Sequence, residues 1–418
     1  MTDARRVIEA LRCGVPNGQA VEALGCHQPE VQKQFLSRLA ASSTCPSGLI
    51  IKGGFGAGKS HALEFLNRCA LKQNFVCSKV TINKETPLHD PVKLFRAAAD
   101  FAVIPDRVGN GIKEAARRVN RASTTYRDLR SWTRLSGVDG RLGASLQIFE
   151  SAKADAEMQD RMLQFWTGDP IGSAAIRDCL RRLQIDAGKT LEIVTLKELG
   201  LQRFQFIARL IRSAGFAGWV LLVDEIELIG CYSLLQRAKS YAELARFGGS
   251  SETFTCPGLV TVFAVTDDFE AAVLEEKGDA RVVPALLRDR RRSGEEDLVR
   301  LAPLGMKALK KSGVLVRGPS DSEISTLYET VKRLYADAYS CAPRDVASPP
   351  RLSSTRMRQF IKRWITEWDM NRLYPDQCIE LQQVEISTDY SEEVPTEDND
   401  GRVGDALMEE LLGRIIRE

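Results

Sequence analysis

Residues 53–60 read Gly-Gly-Phe-Gly-Ala-Gly-Lys-Ser and match G-x-x-x-x-G-K-[ST] at every fixed position. An apolar run, Leu49-Ile50-Ile51, leads into the motif, and a segment with Leu63, Leu66 and Ala70 along one side leads out of it. Strand, glycine loop and helix in that order constrain the fold more than any other feature of the chain. Glycines let the backbone curl until its N–H groups point at phosphate oxygens. The helix that begins there adds the positive end of its dipole. Lys59 is the residue that reaches the β- and γ-phosphates, and the Ser60 hydroxyl is a ligand for Mg²⁺. The cradle predicted from the pattern comprises Gly53, Gly54, Phe55, Gly56, Ala57, Gly58, Lys59, Ser60 and His61. A glycine turn with an incidental Lys-Ser would share the letters without the flanking strand and helix.

A second element points the same way. Gly218-Trp219-Val220-Leu221-Leu222-Val223 is continuously apolar, as in a parallel strand buried on both faces, and runs into Asp224-Glu225. A carboxylate at the carboxyl end of such a strand faces the crevice where α/β sheets bind ligands. Asp224 is placed to hold Mg²⁺ through water, and Glu225 to orient or deprotonate an attacking water. Glu227 reads as a neighbouring polar contact. A further strand at 259–265 ends at Thr266, which fits either a hydrogen bond to the γ-phosphate or attacking water, with Asp267 the alternative, or a helix N-cap. Strands are also expected at 75–82 and, short, at 296–301. Val7, Ile8, Val15 and Pro16 fit a base-packing surface or plain core.

Between about 84 and 200 the strand signal disappears, and a helical insertion is expected there. Helices are predicted at 3–12, 29–41, 199–214, 321–340 and 353–371, with a last short one at 403–416. Three segments follow: an ATPase domain over 1–310 that contains the insertion, a helical lid over 311–375, and an acidic tail over 376–418. Thirteen acidic against three basic residues leave that tail at −10 and the other 375 residues at +12. A basic body with an acidic tail suits contact with nucleic acid or an acidic partner, or masking of the body by the tail. The apolar runs fall far short of the roughly 20 residues of a membrane span. The first residues lack an apolar core of signal-peptide length. A cytoplasmic protein with no membrane contact is the expectation. The cysteines are scattered without a CxxC pair, as in a protein with reduced thiols.

Arginines supply further candidates. Hydrolysis of a nucleoside triphosphate gains from an arginine at the γ-phosphate, and Arg281 or the run Arg288 to Arg292 offers one to a neighbouring subunit. Arg356 and Arg358 open the 353–371 helix, where a lid arginine would close over the phosphates; Arg356 is the residue selected. The stretch 112–134 carries Lys113, Arg117, Arg118, Arg121, Arg127, Arg130 and Arg134 against Glu114 and Asp128, with Tyr126 and Trp132 interleaved. That mixture suits DNA, through phosphate contact and base stacking, or a solvated helix face.

The complete phosphate loop, the VLLVDEIE segment and the strand ending in Thr266 resemble the AAA+ class of ATPases. More narrowly, RRVIEALRCGVPNGQAVEALG, KELGLQRFQFIARLIRSAGFAGWVLLVDEIELIG, SYAELARF and STRMRQFIKRWITEWD are similar to the ATP-binding proteins of BREX phage-defence systems, of the BrxD type. The resemblance covers roughly residues 5–375. It implies an α/β P-loop NTPase fold, AAA+ like, with a parallel sheet flanked by helices, a large helical insertion and a C-terminal helical lid. It implies ATP and Mg²⁺ as cofactors, Walker A and Walker B motifs, and a place beside a helicase and other defence-system proteins. Lys59, Ser60, Asp224 and Glu225 match the family's motifs position by position; Thr266 and Arg356 match more loosely.

One phosphate loop and one Asp-Glu strand exclude a tandem two-motor helicase. The principal reading is an ATP-hydrolysing protein, open to a homo-oligomer, that acts on DNA or with a helicase partner. The alternative is a slow ATP-dependent switch that recruits a protein partner without DNA remodelling. A small-molecule phosphotransferase ranks below both, because the insertion is too long for an acceptor lid.

Overall fold

The computed structural model describes residues 3–14, 18–26, 28–42, 46–105, 110–151, 153–186, 191–290, 295–346 and 357–374. The chain opens with helices α1 (Asp3–Cys13), α2 (Gly18–Leu24) and α3 (Pro29–Ala41). Strand β1 (Ser47–Lys52) runs through the glycine loop into α4 (Lys59–Lys72), and β2 (Phe75–Thr81) follows. Helix α5 (Pro91–Asp100) then precedes a two-residue strand, β3 (Ala102–Val103), which falls inside the segment where no strand was expected.

The insertion continues as α6 (Gly111–Arg117), α7 (Thr124–Trp132), α8 (Gly140–Glu150), α9 (Ala156–Thr167) and α10 (Ser173–Arg182). Four of the helices between β2 and α11 start where a short polar side chain satisfies a first-turn N–H group: Asp90 caps α5, Ser123 caps α7, Asp139 caps α8 and Asp155 caps α9. The insertion does not stand apart. Trp166 of α9 is fully buried, donates to Ser145 Oγ at 2.7 Å, and lies 5.2 Å from the Phe206 ring across the shared core.

Helix α11 (Leu196–Ser213), opened by a Thr195–Glu198 capping box, leads into β4 (Gly218–Asp224), every residue of which is buried. Then come α12 (Leu234–Ala245), β5 (Leu259–Val265), α13 (Asp279–Arg290), α14 (Glu296–Lys311) and β6 (Gly313–Leu315). The strand expected at 296–301 is instead the first turns of α14. Leu298, Leu301, Ala302, Gly305, Met306 and Leu309 are its buried residues, a spacing of three and four that belongs to a helix. Acidic residues in its first turn and lysines in its last suit the dipole. Helices α15 (Asp321–Tyr339) and α16 (Met357–Leu373) close the described chain.

The six strands form one sheet in the order β3-β2-β4-β5-β1-β6. Neighbours are parallel except β3, which is antiparallel to β2. Ile50, Phe263 and Val223 lie in register across β1, β5 and β4. The glycine loop, Thr266 and Asp224 therefore leave the sheet along one edge, at the carboxyl ends of adjacent strands.

One large apolar core lies beneath the insertion and α11–α14, and a second packs α3 and α4 on the sheet. A third joins the two ends of the described chain: Ile8 and Leu24 pack with Leu327, Val331, Tyr335, Trp364 and Trp368. A polar lattice fastens the same helices. Arg12 donates to both carboxylate oxygens of Asp369 at 3.0 Å and to Tyr339 at 2.9 Å, and Tyr335 donates to Asp369 at 2.8 Å. Among the described residues no helix is long and apolar enough to cross a membrane. The predicted helix at 403–416, the acidic tail, Val15 and Pro16 lie outside the described residues.

Candidate functional site

A cavity of about 250 Å³ opens at the edge where the parallel strands end. It is lined by the glycine loop from Phe55 to His61, by Glu225 and Glu227, and by residues of α1, α2, α15 and α16. The loop turns at Gly56 and Gly58, both with positive φ, and Gly58 at +98° is the residue preceding α4. No side chain caps α4. Its first N–H groups consequently face the cavity end of the loop, the arrangement that favours an anion.

Lys59 is only 7% exposed. Its Nζ donates to the carbonyl oxygens of Gly53 at 2.9 Å and Gly54 at 3.4 Å, and lies 3.7 Å from Glu227 Oε1. Glu227 is almost fully buried, its Oε2 lacks a hydrogen-bond partner among the described residues, and burial pushes its carboxyl up to about 7 against the pull of Lys59. Burial, with Asp224 beside it, also raises Glu225 above the ordinary carboxyl range. Glu225 holds left-handed backbone angles, φ 60° and ψ 39°, uncommon for a residue with a side chain, and its N–H is fixed by Asp224 Oδ1 at 3.1 Å.

The remaining sequence-predicted residues fall into three groups. Asp224 and Thr266 are buried, at 4% and 2% exposure, one at the end of β4 and the other just beyond β5, behind the residues that line the cavity. His61 lines it, and its Nε2 donates to Gly25 O at 2.7 Å, tying α4 to the end of α2. Arg281 and Arg288 are exposed on α13, seven positions apart and so on one side of the helix, and neither lines this chain's own cavity. That helix is pinned at its start by Asp279, which is fully buried and accepts two hydrogen bonds from Arg237 at 2.8 Å and one from Tyr241 at 2.6 Å. Arg356, Arg291 and Arg292 lie outside the described residues.

Several cavity residues carry no motif. Arg358 lines the cavity and packs against Gly14, where any side chain would collide with its guanidinium. Arg317 forms a two-pronged pair with Glu323 at 2.5 and 2.8 Å, and that pairing holds the Glu323 carboxyl down at about 2. Gln28 clamps the Arg317 backbone from both sides, donating to its carbonyl at 2.9 Å and accepting from its N–H at 3.1 Å. A contact between positions this far apart in the chain leaves no local signal. Glu227 was legible as an acidic neighbour, but not as the partner of Lys59.

Tyr126 and Trp132 in the basic stretch are buried, so the base stacking expected of them has no exposed ring to work with.

The fold and cavity define a class of α/β proteins in which a glycine loop and a carboxylate-bearing strand meet at one edge of a parallel sheet. The chain belongs to the family described as BREX system ATP-binding protein BrxC/D, which matches residues 1–103 and 148–374. No curated protein matches it.

Proposed function

We propose that this chain is an ATP-hydrolysing AAA+ protein of a phage-defence system, acting on DNA or with a helicase partner. The observation that carries the reading is Lys59, buried at the cavity and held by loop carbonyls and by Glu227. An ammonium group surrounded by acceptors, beside an uncapped helix start, is suited to exchange them for phosphate oxygens. Membership of an ATP-binding family supports ATP as the source of those oxygens.

In this reading Gly53 to His61 cradle the phosphates, and Ser60 and Asp224 hold Mg²⁺. Magnesium bound with ATP would neutralise phosphate charge, and it needs only one or two protein carboxylates when phosphates complete its shell. Glu225 holds the attacking water and takes its proton, a task helped by a carboxyl already raised by burial. Its strained backbone supports that role, since such angles persist where the surroundings impose them. Thr266 steadies the water or γ-phosphate. Arg356 closes from the lid. Arg281, or one of Arg288 to Arg292, reaches the nucleotide of a second copy, so turnover depends on a homo-oligomer. The domain division is 1–310 for the ATPase, 311–375 for the lid and 376–418 for the tail, in a cytoplasmic protein.

The slow switch is the second reading. It draws on the position of Arg281 and Arg288, neither of which lines this chain's own cavity. Steady-state ATP turnover at several protein concentrations, beside Lys59→Ala, separates the readings. The proposal expects turnover that rises with concentration, and ATP binding weakened at least about tenfold in Lys59→Ala, as for loss of a charge-assisted contact. Unchanged ATP affinity in Lys59→Ala would refute the assignment. Tight binding with negligible turnover at every concentration would leave the switch.

A further inference from the structure

The family match leaves out residues 104–147, and the basic stretch 112–134 lies wholly within that gap. Its architecture sorts charge from apolar surface. Helix α7 buries Tyr126, Leu129 and Trp132 on one side, at spacings of three. From beneath, Arg209 of α11 lies with its guanidinium 5.0 Å from the centre of the Trp132 ring and 3.4 Å from Asp128. Arg209 also donates to the carbonyls of Gln205 and Thr255. This fixes the inner face of α7 and engages Asp128. The other acidic residue, Glu114, accepts from Arg118 at 3.3 Å and has Arg117 at 4.0 Å.

Outward, cations outnumber the one exposed acidic residue of α7, Asp128. Arg117, Arg121, Arg127 and Arg134 are exposed, and Arg130 is half-buried. Arg117 and Arg121 edge one cleft with Glu150, whose carbonyl accepts from Arg121 at 3.0 Å; Arg130 and Arg134 edge a second with Asp186, and Leu146 lines both. Arg127 and Arg130 follow one side of α7, and Arg134 lies two residues beyond its end.

We propose that the arginine-bearing surface of α6 and α7 docks the phosphate backbone of duplex DNA without reading its sequence. Stacking of unpaired bases needs exposed aromatic faces, and the aromatics of this stretch are buried. Only charge is presented, and charge positions a backbone without specifying bases. The surface deepens the DNA-directed half of the proposed function, on which it rests.

The test is fluorescence anisotropy of the full chain on two duplexes of unrelated sequence and on a single strand, without nucleotide, across a potassium chloride series. The surface predicts equal affinity for the two duplexes within about twofold, weaker binding of the single strand, and a log–log salt slope of about −3 to −5 for three to five phosphate contacts. Arg127→Ala with Arg134→Ala should reduce the slope by about 2, while Arg127→Lys with Arg134→Lys retains it. ATP affinity should be unchanged in both. An unaltered slope in the alanine pair, a preference for the single strand, or no DNA binding would each overturn the assignment. A chain that binds duplex but never hydrolyses ATP refutes the catalytic proposal and leaves this surface standing. A chain that hydrolyses ATP and ignores DNA does the reverse.

Discussion

Lys59 and Glu227 show how much of the site depends on a pair of residues. Each is buried and each is the other's ionic neighbour, and Glu227 Oε2 has no hydrogen-bond partner among the described residues. Its carboxyl ordinarily titrates near 4.5 but is pushed up to about 7 by burial. Between those values the folded protein keeps a proton that the unfolded chain releases. This contribution to stability is therefore full below about 4.5 and is lost as pH rises through about 7. Glutamine does not titrate, so Glu227→Gln should gain on the parent between pH 5 and pH 8, by on the order of 2 kcal/mol. Denaturant unfolding at both pH values reads this directly, and a gap that does not change with pH would contradict it. At this scale the glycine loop and Asp224-Glu225 were legible as motifs because the residues to which the chemistry is assigned are contiguous. Glu227's partner, Gln28's clamp on Arg317 and the seat of Arg358 on Gly14 were not, because each is made by distant segments.

Elements were legible where periodicity was long and were lost where it was short. The four strands from β1 to β5 other than β3 each carry a run of apolar residues and were expected near their observed limits. Strands β3 and β6 have two and three residues, too few for any pattern. At 296–301 a short apolar run permits strand or helix, and length decides: the buried spacing continues to Leu309. Helix α14 also lies very close to α12. A Cβ on Gly305 would come within 1.9 Å of Tyr241 O, a backbone atom that cannot turn aside. Gly305→Ala must part the two helices and should destabilise the fold by about 1–3 kcal/mol, the range for overpacking a close contact. Thermal unfolding of the variant checks this, and an unchanged midpoint would mean that the helices separate freely.

Across the whole molecule the two ends of the described chain meet. Helices α1 and α2 share an apolar core with α15 and α16, α1 adds the Arg12–Asp369 lattice, and all four line the cavity together with Glu225 and Glu227. Hydrophobic periodicity locates each of those helices but says nothing of which distant helix it meets, so this closure could not be read from residue patterns. The sheet order places the phosphate loop and the carboxylate strand at one edge although β5 lies between them. In the proposed function, binding falls to the glycine loop and proton transfer to Glu225, and a single substitution separates the two. Glu225→Gln keeps the size of the side chain and removes its ability to take a proton. The decisive measurement is ATP binding and steady-state hydrolysis of this variant beside the parent chain. Retained ATP affinity is expected, with turnover reduced by about 10²-fold or more, the contribution of a positioned general base. Turnover equal to the parent's would contradict it.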